Sequence, residues 1–130
     1  YTFERRRAAE KAGGFDRAAW NEIAELGLCG LYVPEDDGGL GMGPVEGMVV
    51  MEELGRGIVL EPFAQALIAG GVLSGYAPAE LQSQWLPGIA SGEALVVLAQ
   101  QERGARYHLD RCDATATAGG QGWSLKGSST

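Results

Sequence analysis

The stretch VPEDDGGLGMGP, from Val33 to Pro44, concentrates the groups in this chain that could do chemistry. Glycines stand at 38, 39, 41 and 43, and the carboxylates of Glu35, Asp36 and Asp37 precede them. A glycine-rich loop between an apolar run and a helix can hold a diphosphate on its free amides. That chemistry requires GxGxxG for a dinucleotide, or GxxxxGK[ST] for a nucleoside triphosphate. Counted from Gly39 and Gly41, the third glycine position is Pro44; counted from Gly41 and Gly43, it is Glu46. No GK[ST] occurs, and KGSS near the C-terminal end reverses the order. Three carboxylates would repel a diphosphate by more than the roughly 1 kcal/mol that a helix N-terminus offers. The loop reads as a connector and not as a phosphate cradle.

The other reactive side chains are sparse. Cys29 and Cys112 lie far apart in no CxxC spacing, which argues against a zinc site or a disulfide framework. His108 is the single histidine, too few for a metal cluster. Arg5, Arg6 and Arg7 form a basic run that reads as the solvated end of a helix. The net charge of −7 disfavours an unassisted nucleic-acid or anionic-membrane partner. No apolar run reaches spanning length and no signal peptide opens the chain, so a reducing cytoplasm is the expected location.

These groups must be positioned by elements that the pattern makes legible. At 130 residues and 45% hydrophobic composition, the chain can bury a real core. Residues 1–12 read as a charged helix stopped by Gly13 and Gly14. Asp16 suits the N-cap of a second helix, with Trp20, Ile23 and Ala24 on one face and Gly27 at its end. LGLCGLYVP follows as an apolar, extended run. Pro44 opens a third helix, apolar on more than one face and therefore expected to be largely buried. Pro62 opens a fourth, with Phe63, Ala66, Leu67 and Gly70 along one face. Its small residues, Ala69 to Gly71, serve either close helix packing or room for a ligand. Pro78 starts a fifth, which Pro87 is expected to kink or break.

After Gly92 the pattern changes. ALVVLAQQE reads as a short buried strand, RCDATATA alternates, GGQG signals a turn, and WSLKG resumes a strand. Helices followed by strands suggest two packed units rather than alternating βαβ. The chain opens at Tyr1 without Met and stops inside a strand-like pattern, so a piece of a longer protein is expected.

The motifs GLYVPEDDGGLGMG, VVMEELGRG and QWLPGIASGEALVVLAQQE, in this order and spacing, resemble the acyl-CoA dehydrogenase family. The likeness covers nearly the whole chain. It implies an α+β fold: an N-terminal all-helical bundle over 1–92, then the first strands of a truncated middle β-barrel domain over 93–130. In that family the glycine loop is structural. The family binds FAD between the β domain and a C-terminal helical domain. A glutamate base takes the α-proton of an acyl-CoA thioester and a hydride leaves the β-carbon for the flavin.

By this resemblance Leu98, Gln100 and Gln101 lie beside the flavin, with Gln101 where members often have Thr or Ser. Tyr107 stands where members have a pyrophosphate-binding Ser. Arg103 or Arg106 could pair with phosphate instead, or sit in a solvated or salt-bridged surface. The helix from Pro62 corresponds to the one lining the acyl pocket, which implies substrate-facing roles for Phe63, Ala66 and Gly70. No catalytic residue is expected in this segment. Glu52 and Glu53 are expected as interhelical or loop-capping partners, and Glu102 as a hydrogen-bonding anchor at a strand end. The partners implied are an acyl-CoA substrate, an electron-transfer-flavoprotein-type acceptor, and further copies in a homotetramer or homodimer. The departures at Gln101 and Tyr107 motivate an alternative, a non-catalytic partner subunit of a hetero-oligomer.

Overall fold

Capping chemistry sets most of the helix boundaries. The computed structural model describes every residue except Arg103, Arg106, Leu109, Gln121 and residues 128–130. It divides into two compact units, Tyr1–Val97 and Leu98–Thr130. In the first, Thr2 caps α1 (Phe3–Lys11) by accepting from the Arg5 amide. The Asp16 carboxylate caps α2 (Arg17–Glu25), accepting from the amides of Ala18 and Ala19 at 2.9 and 3.2 Å. Gly27, at φ 78°, turns the chain out of α2. Pro44 is the first residue of α3 (Pro44–Gly57), and Glu46 reaches back to the Gly43 amide at 3.0 Å. Pro62 and Pro78 stand one place ahead of α4 (Phe63–Tyr76) and α5 (Ala79–Ala90).

Two apolar clusters hold this unit. Trp20, Ile23, Cys29, Leu31, Phe63, Ala66 and Leu67 form the first, and Val33, Leu86, Ile89 and Ala90 the second. Burying a large apolar side chain fully is worth about 1.5–3 kcal/mol, so the two clusters dominate the stability of the helical unit. The indole of Trp20 also donates to the Gly92 carbonyl at 2.8 Å, which ties α2 to the end of α5. Gly70 faces Ile89 and Val33, where a Cβ would make ordinary van der Waals contact at 3.6 Å.

Several expectations are corrected. LGLCG is not extended; Leu28–Gly30 forms a 3₁₀ turn, because Gly30 and Leu31 donate to Gly27 and Leu28. Pro87 does not end its helix, which runs on to Ala90. Leu86 and Ile89, buried on either side of it, pin the helix against the roughly 3 kcal/mol that an interior proline costs. The third helix is not largely buried. Gly47 is its buried residue, while Val45, Met48, Val49 and Met51 are exposed. One face, with Val50 and Leu54, meets the first cluster.

The basic run is not merely solvated either. Arg5 pairs with Asp16 at 2.7 Å and Glu22 at 3.0 Å, and Arg6 donates to the carbonyls of Gly57 and Ile58. Glu52 and Glu53 pair within their own helix, both to Arg56, rather than between helices.

The second unit contains an antiparallel hairpin, β1 (Thr115–Gly119) and β2 (Gly122–Lys126). Its register places Ala116 opposite Leu125 and Ala118 opposite Trp123. Residues 94–102 form no strand, correcting that reading. Ala94 and Val96 do pack against the second cluster, but Leu95, Val97 and Leu98 are exposed. An apolar run becomes a buried strand only where a neighbouring strand takes its amides, and no such neighbour is present among the described residues.

Candidate functional site

The glycine loop spends its amides on its own backbone. Gly38 and Gly39 donate to Glu35 and Pro34, and Leu40, Gly41 and Met42 to the carbonyls of Gly30, Val33 and Leu31. A phosphate would need those N–H groups free. Gly39 is required by space, since a Cβ there would run into the Val33 carbonyl. Gly38, at φ 84°, is required by backbone angle and faces open space. The loop is a folded connector whose acidic side chains Glu35 and Asp36 point to solvent.

Helix α4 carries the residues expected to meet substrate. Phe63 and Ala66 are buried in the first cluster, and Gly70 is buried between Val33 and Ile89. The three therefore share the inward side of α4. Its opposite side shows Gln65, Ile68 and Val72 to solvent. The start of α4 is fixed by Glu61, a buried carboxylate. Its Oε1 accepts from the Tyr1 hydroxyl and the Asp16 amide, both at 3.3 Å. Its Oε2 is buried and finds no partner among the described residues.

In the second unit, Leu98, Gln100 and Gln101 are exposed. The Gln100 amide is spent on the Leu98 carbonyl at 3.1 Å. The three side chains are one apolar group and two carboxamides, a group type that both donates and accepts. Tyr107 is 95% exposed, and Arg103 and Arg106 lie outside the described residues. Glu102 does anchor the chain: it is buried and accepts from the amides of Asp113 at 2.7 Å and Ala114 at 2.9 Å. A surface cavity of about 450 Å³ borders it, lined also by Asp113, Thr115 and Lys126.

Among the described residues, electrostatics marks no catalytic group. Burial pushes the Cys29 thiol up to about 11, which makes it inert near neutral pH. The Arg5 hydrogen bond, then the helix amides, hold Asp16 below the usual carboxylate range. No group of three or more His, Cys, Asp or Glu side chains among the described residues could hold a metal ion. Among those residues no helix is long and apolar enough to cross a membrane.

Sequence reasoning missed Arg6 and Glu61. The only signal for Glu61 was a lone carboxylate between an apolar stretch and Pro62; for Arg6 there was none.

Known proteins share this arrangement. The pattern described as acyl-CoA dehydrogenase, N-terminal domain, matches residues 3–93. Acyl-CoA dehydrogenase FadE12 of Mycobacterium tuberculosis is 33% identical over 111 residues, 83% of this chain and 28% of that one. The (2S)-methylsuccinyl-CoA dehydrogenase of Cereibacter sphaeroides is 32% identical over 116 residues, 83% of this chain and 20% of that one. Among solved structures, a variant of the Tcur3481-Tcur3483 steroid ACAD superposes with a TM-score of 0.85 at 34% identity, over 97% of this chain and 35% of that one. The acyl-CoA dehydrogenase from Geobacillus kaustophilus gives 0.74 at 26% identity, over 96% and 33%. The chain thus spans less than a third of the curated relatives it matches.

Proposed function

The chain belongs to the acyl-CoA dehydrogenase family, and from that premise we propose that it is the N-terminal part of an enzyme that desaturates an acyl-CoA thioester between Cα and Cβ. Residues 1–92 serve as the helical domain and 93–130 as the beginning of the middle β domain. The observation that carries this reading is the superposition on the steroid ACAD over nearly the whole chain. The family is FAD-dependent, and FAD supplies the acceptor for the hydride that leaves Cβ. Leu98, Gln100 and Gln101 border the flavin edge, the carboxamides supplying hydrogen bonds and Leu98 an apolar contact. Phe63, Ala66 and Gly70 form the acyl wall from behind. Packed inside the helical unit, they set how deep α4 lies, and Gln65, Ile68 and Val72 present its outer face to the ligand. The base that takes the α-proton lies outside these residues. Electrons pass on to an electron-transfer-flavoprotein-type acceptor, and the working assembly is a homotetramer or homodimer in the cytoplasm.

A visible absorption spectrum of the native protein, purified without added cofactor, tests this. An oxidised flavin spectrum that bleaches on adding an acyl-CoA is expected. Protein that stays colourless after reconstitution with FAD would overturn it.

A second reading has an observation in its favour. The superposed steroid ACAD carries two component names, and Tyr107 replaces the expected serine with a fully surface-lying ring. The chain would then be the non-catalytic subunit of a hetero-oligomer. A second, different dehydrogenase chain co-purifying with it, and flavin retained only by the pair, would support that reading over the first.

A further inference from the structure

We propose that Arg6 is a positioning residue: it straps α1 across the corner between α3 and α4 and so fixes where α4 begins. Its Nε donates to the Ile58 carbonyl at 3.0 Å and its Nη2 to the Gly57 carbonyl at 2.8 Å. The amides of Ile58 and Val59 fold back to the Gly55 and Leu54 carbonyls and close α3, and the Gly57 and Ile58 carbonyls just beyond are taken by Arg6. A guanidinium fork fits two adjacent carbonyls, and charge strengthens both bonds.

The corner needs holding. Ile58 sits at φ 48°, a left-handed conformation that β-branched residues avoid. It is exposed, so the angle rests on the capping bonds of Ile58 and Val59 and on the Arg6 bonds, not on packing. Three residues later comes Glu61, whose Oε1 takes the Tyr1 hydroxyl and the Asp16 amide. Arg5 in turn grips Asp16 and Glu22. These ties from the segment 1–6 reach residues 57–61 or α2 and its cap. Helix α1 itself contributes little apolar adhesion, with Ala9 as its buried residue. It is attached by directed polar bonds, and those bonds converge on the segment leading into Phe63. Whatever loosens Arg6 therefore releases the strained corner first and the core last.

The consequence for substrate rests on the function proposed above. Arg6→Ala, in the native full chain, is compared with Arg7→Ala, whose guanidinium lies over the Phe3 ring 4.7 Å from its centroid. Hydrogen exchange is read at the amides of Ile58, Val59 and Phe63, which donate to Gly55, Leu54 and Glu61. Arg6→Ala is expected to speed exchange there by about tenfold or more, with α5 unchanged and Arg7→Ala silent. The KM for the acyl-CoA should rise with kcat per flavin kept. Exchange at the corner equal to wild type, or an equal loosening of all five helices, would overturn the strap. A changed corner with unchanged KM would overturn the positioning of substrate. A wild-type chain with no turnover would overturn the functional reading, while the exchange pattern still decides the strap.

Discussion

The indole N–H of Trp20 and the carbonyl of Gly92 meet at 2.8 Å in a site that water does not reach. The bond joins residues 72 apart in sequence and closes α2 onto the end of α5. Gly92 is at φ 75°, and a Cβ there would collide with Ala24. Trp20→Phe leaves the Gly92 carbonyl buried and unpaired, a cost of about 1–3 kcal/mol, and opens a cavity in the first cluster besides. Gly92→Ala adds overpacking to backbone strain, for about 2–4 kcal/mol. Urea midpoints of the two variants check both, and each should fall below wild type.

Gly38 and Gly39 are neighbours with different constraints, and the same substitution separates them. Gly39→Ala drives a methyl into the Val33 backbone and should destabilise by about 2 kcal/mol or more. Gly38→Ala meets nothing, and costs about 1 kcal/mol for the left-handed angle alone. Gly38→Asn should be milder still, because Asn tolerates that angle. Thermal midpoints should fall in the order wild type, Gly38→Asn, Gly38→Ala, Gly39→Ala.

Asp16 makes stability depend on acid. Its pKa is lowered in the folded state, first by the Arg5 hydrogen bond and then by the capped amides. A depressed carboxylate contributes stability that is fully present above its unfolded pKa, near about 3.9, and is lost as pH falls through the folded value. Stability should therefore decline below about pH 4. Arg5→Gln should flatten that decline while leaving the curve above neutrality parallel to wild type. Denaturant titrations at stepped pH measure it.

The two thiols should part company. Cys29 is buried with its pKa pushed up to about 11, while Cys112 is exposed. At pH 8 an aromatic disulfide reagent should titrate one thiol in the native chain and two after denaturation. Two fast thiols in the native chain would place Cys29 nearer the surface than its burial indicates.

Local chemistry was legible in the sequence where one residue decides an outcome. Asp16 as a cap, Gly27 as a stop, Pro44 as a first helical residue and the failed fingerprint at 33–44 all follow from side-chain geometry or spacing. The hairpin around GGQG followed from alternation. What needs a distant partner was not legible. ALVVLAQQE is apolar enough for a strand, yet a ladder depends on a neighbour that no window of sequence contains. The apolar residues of α3 announce a helix that wants covering, but not whether this chain covers it. Phe63, Ala66 and Gly70 were recognisable as one face of α4; that this face turns inward depends on Trp20, Val33 and Ile89, brought in by three other segments. Arg6 was the least predictable, because its partners are main-chain carbonyls, and every residue has one.

The loop at 33–44 offers a use unrelated to catalysis. Its shape is written in main-chain bonds from Gly38 to Met42, while Glu35 and Asp36 face solvent. Substitutions at 35 and 36 leave that lattice of bonds intact, so the tip should accept foreign side chains freely. It is a ready position for a spectroscopic label, introduced as cysteine at 36 in a background lacking Cys112, reporting on the helical unit without perturbing it.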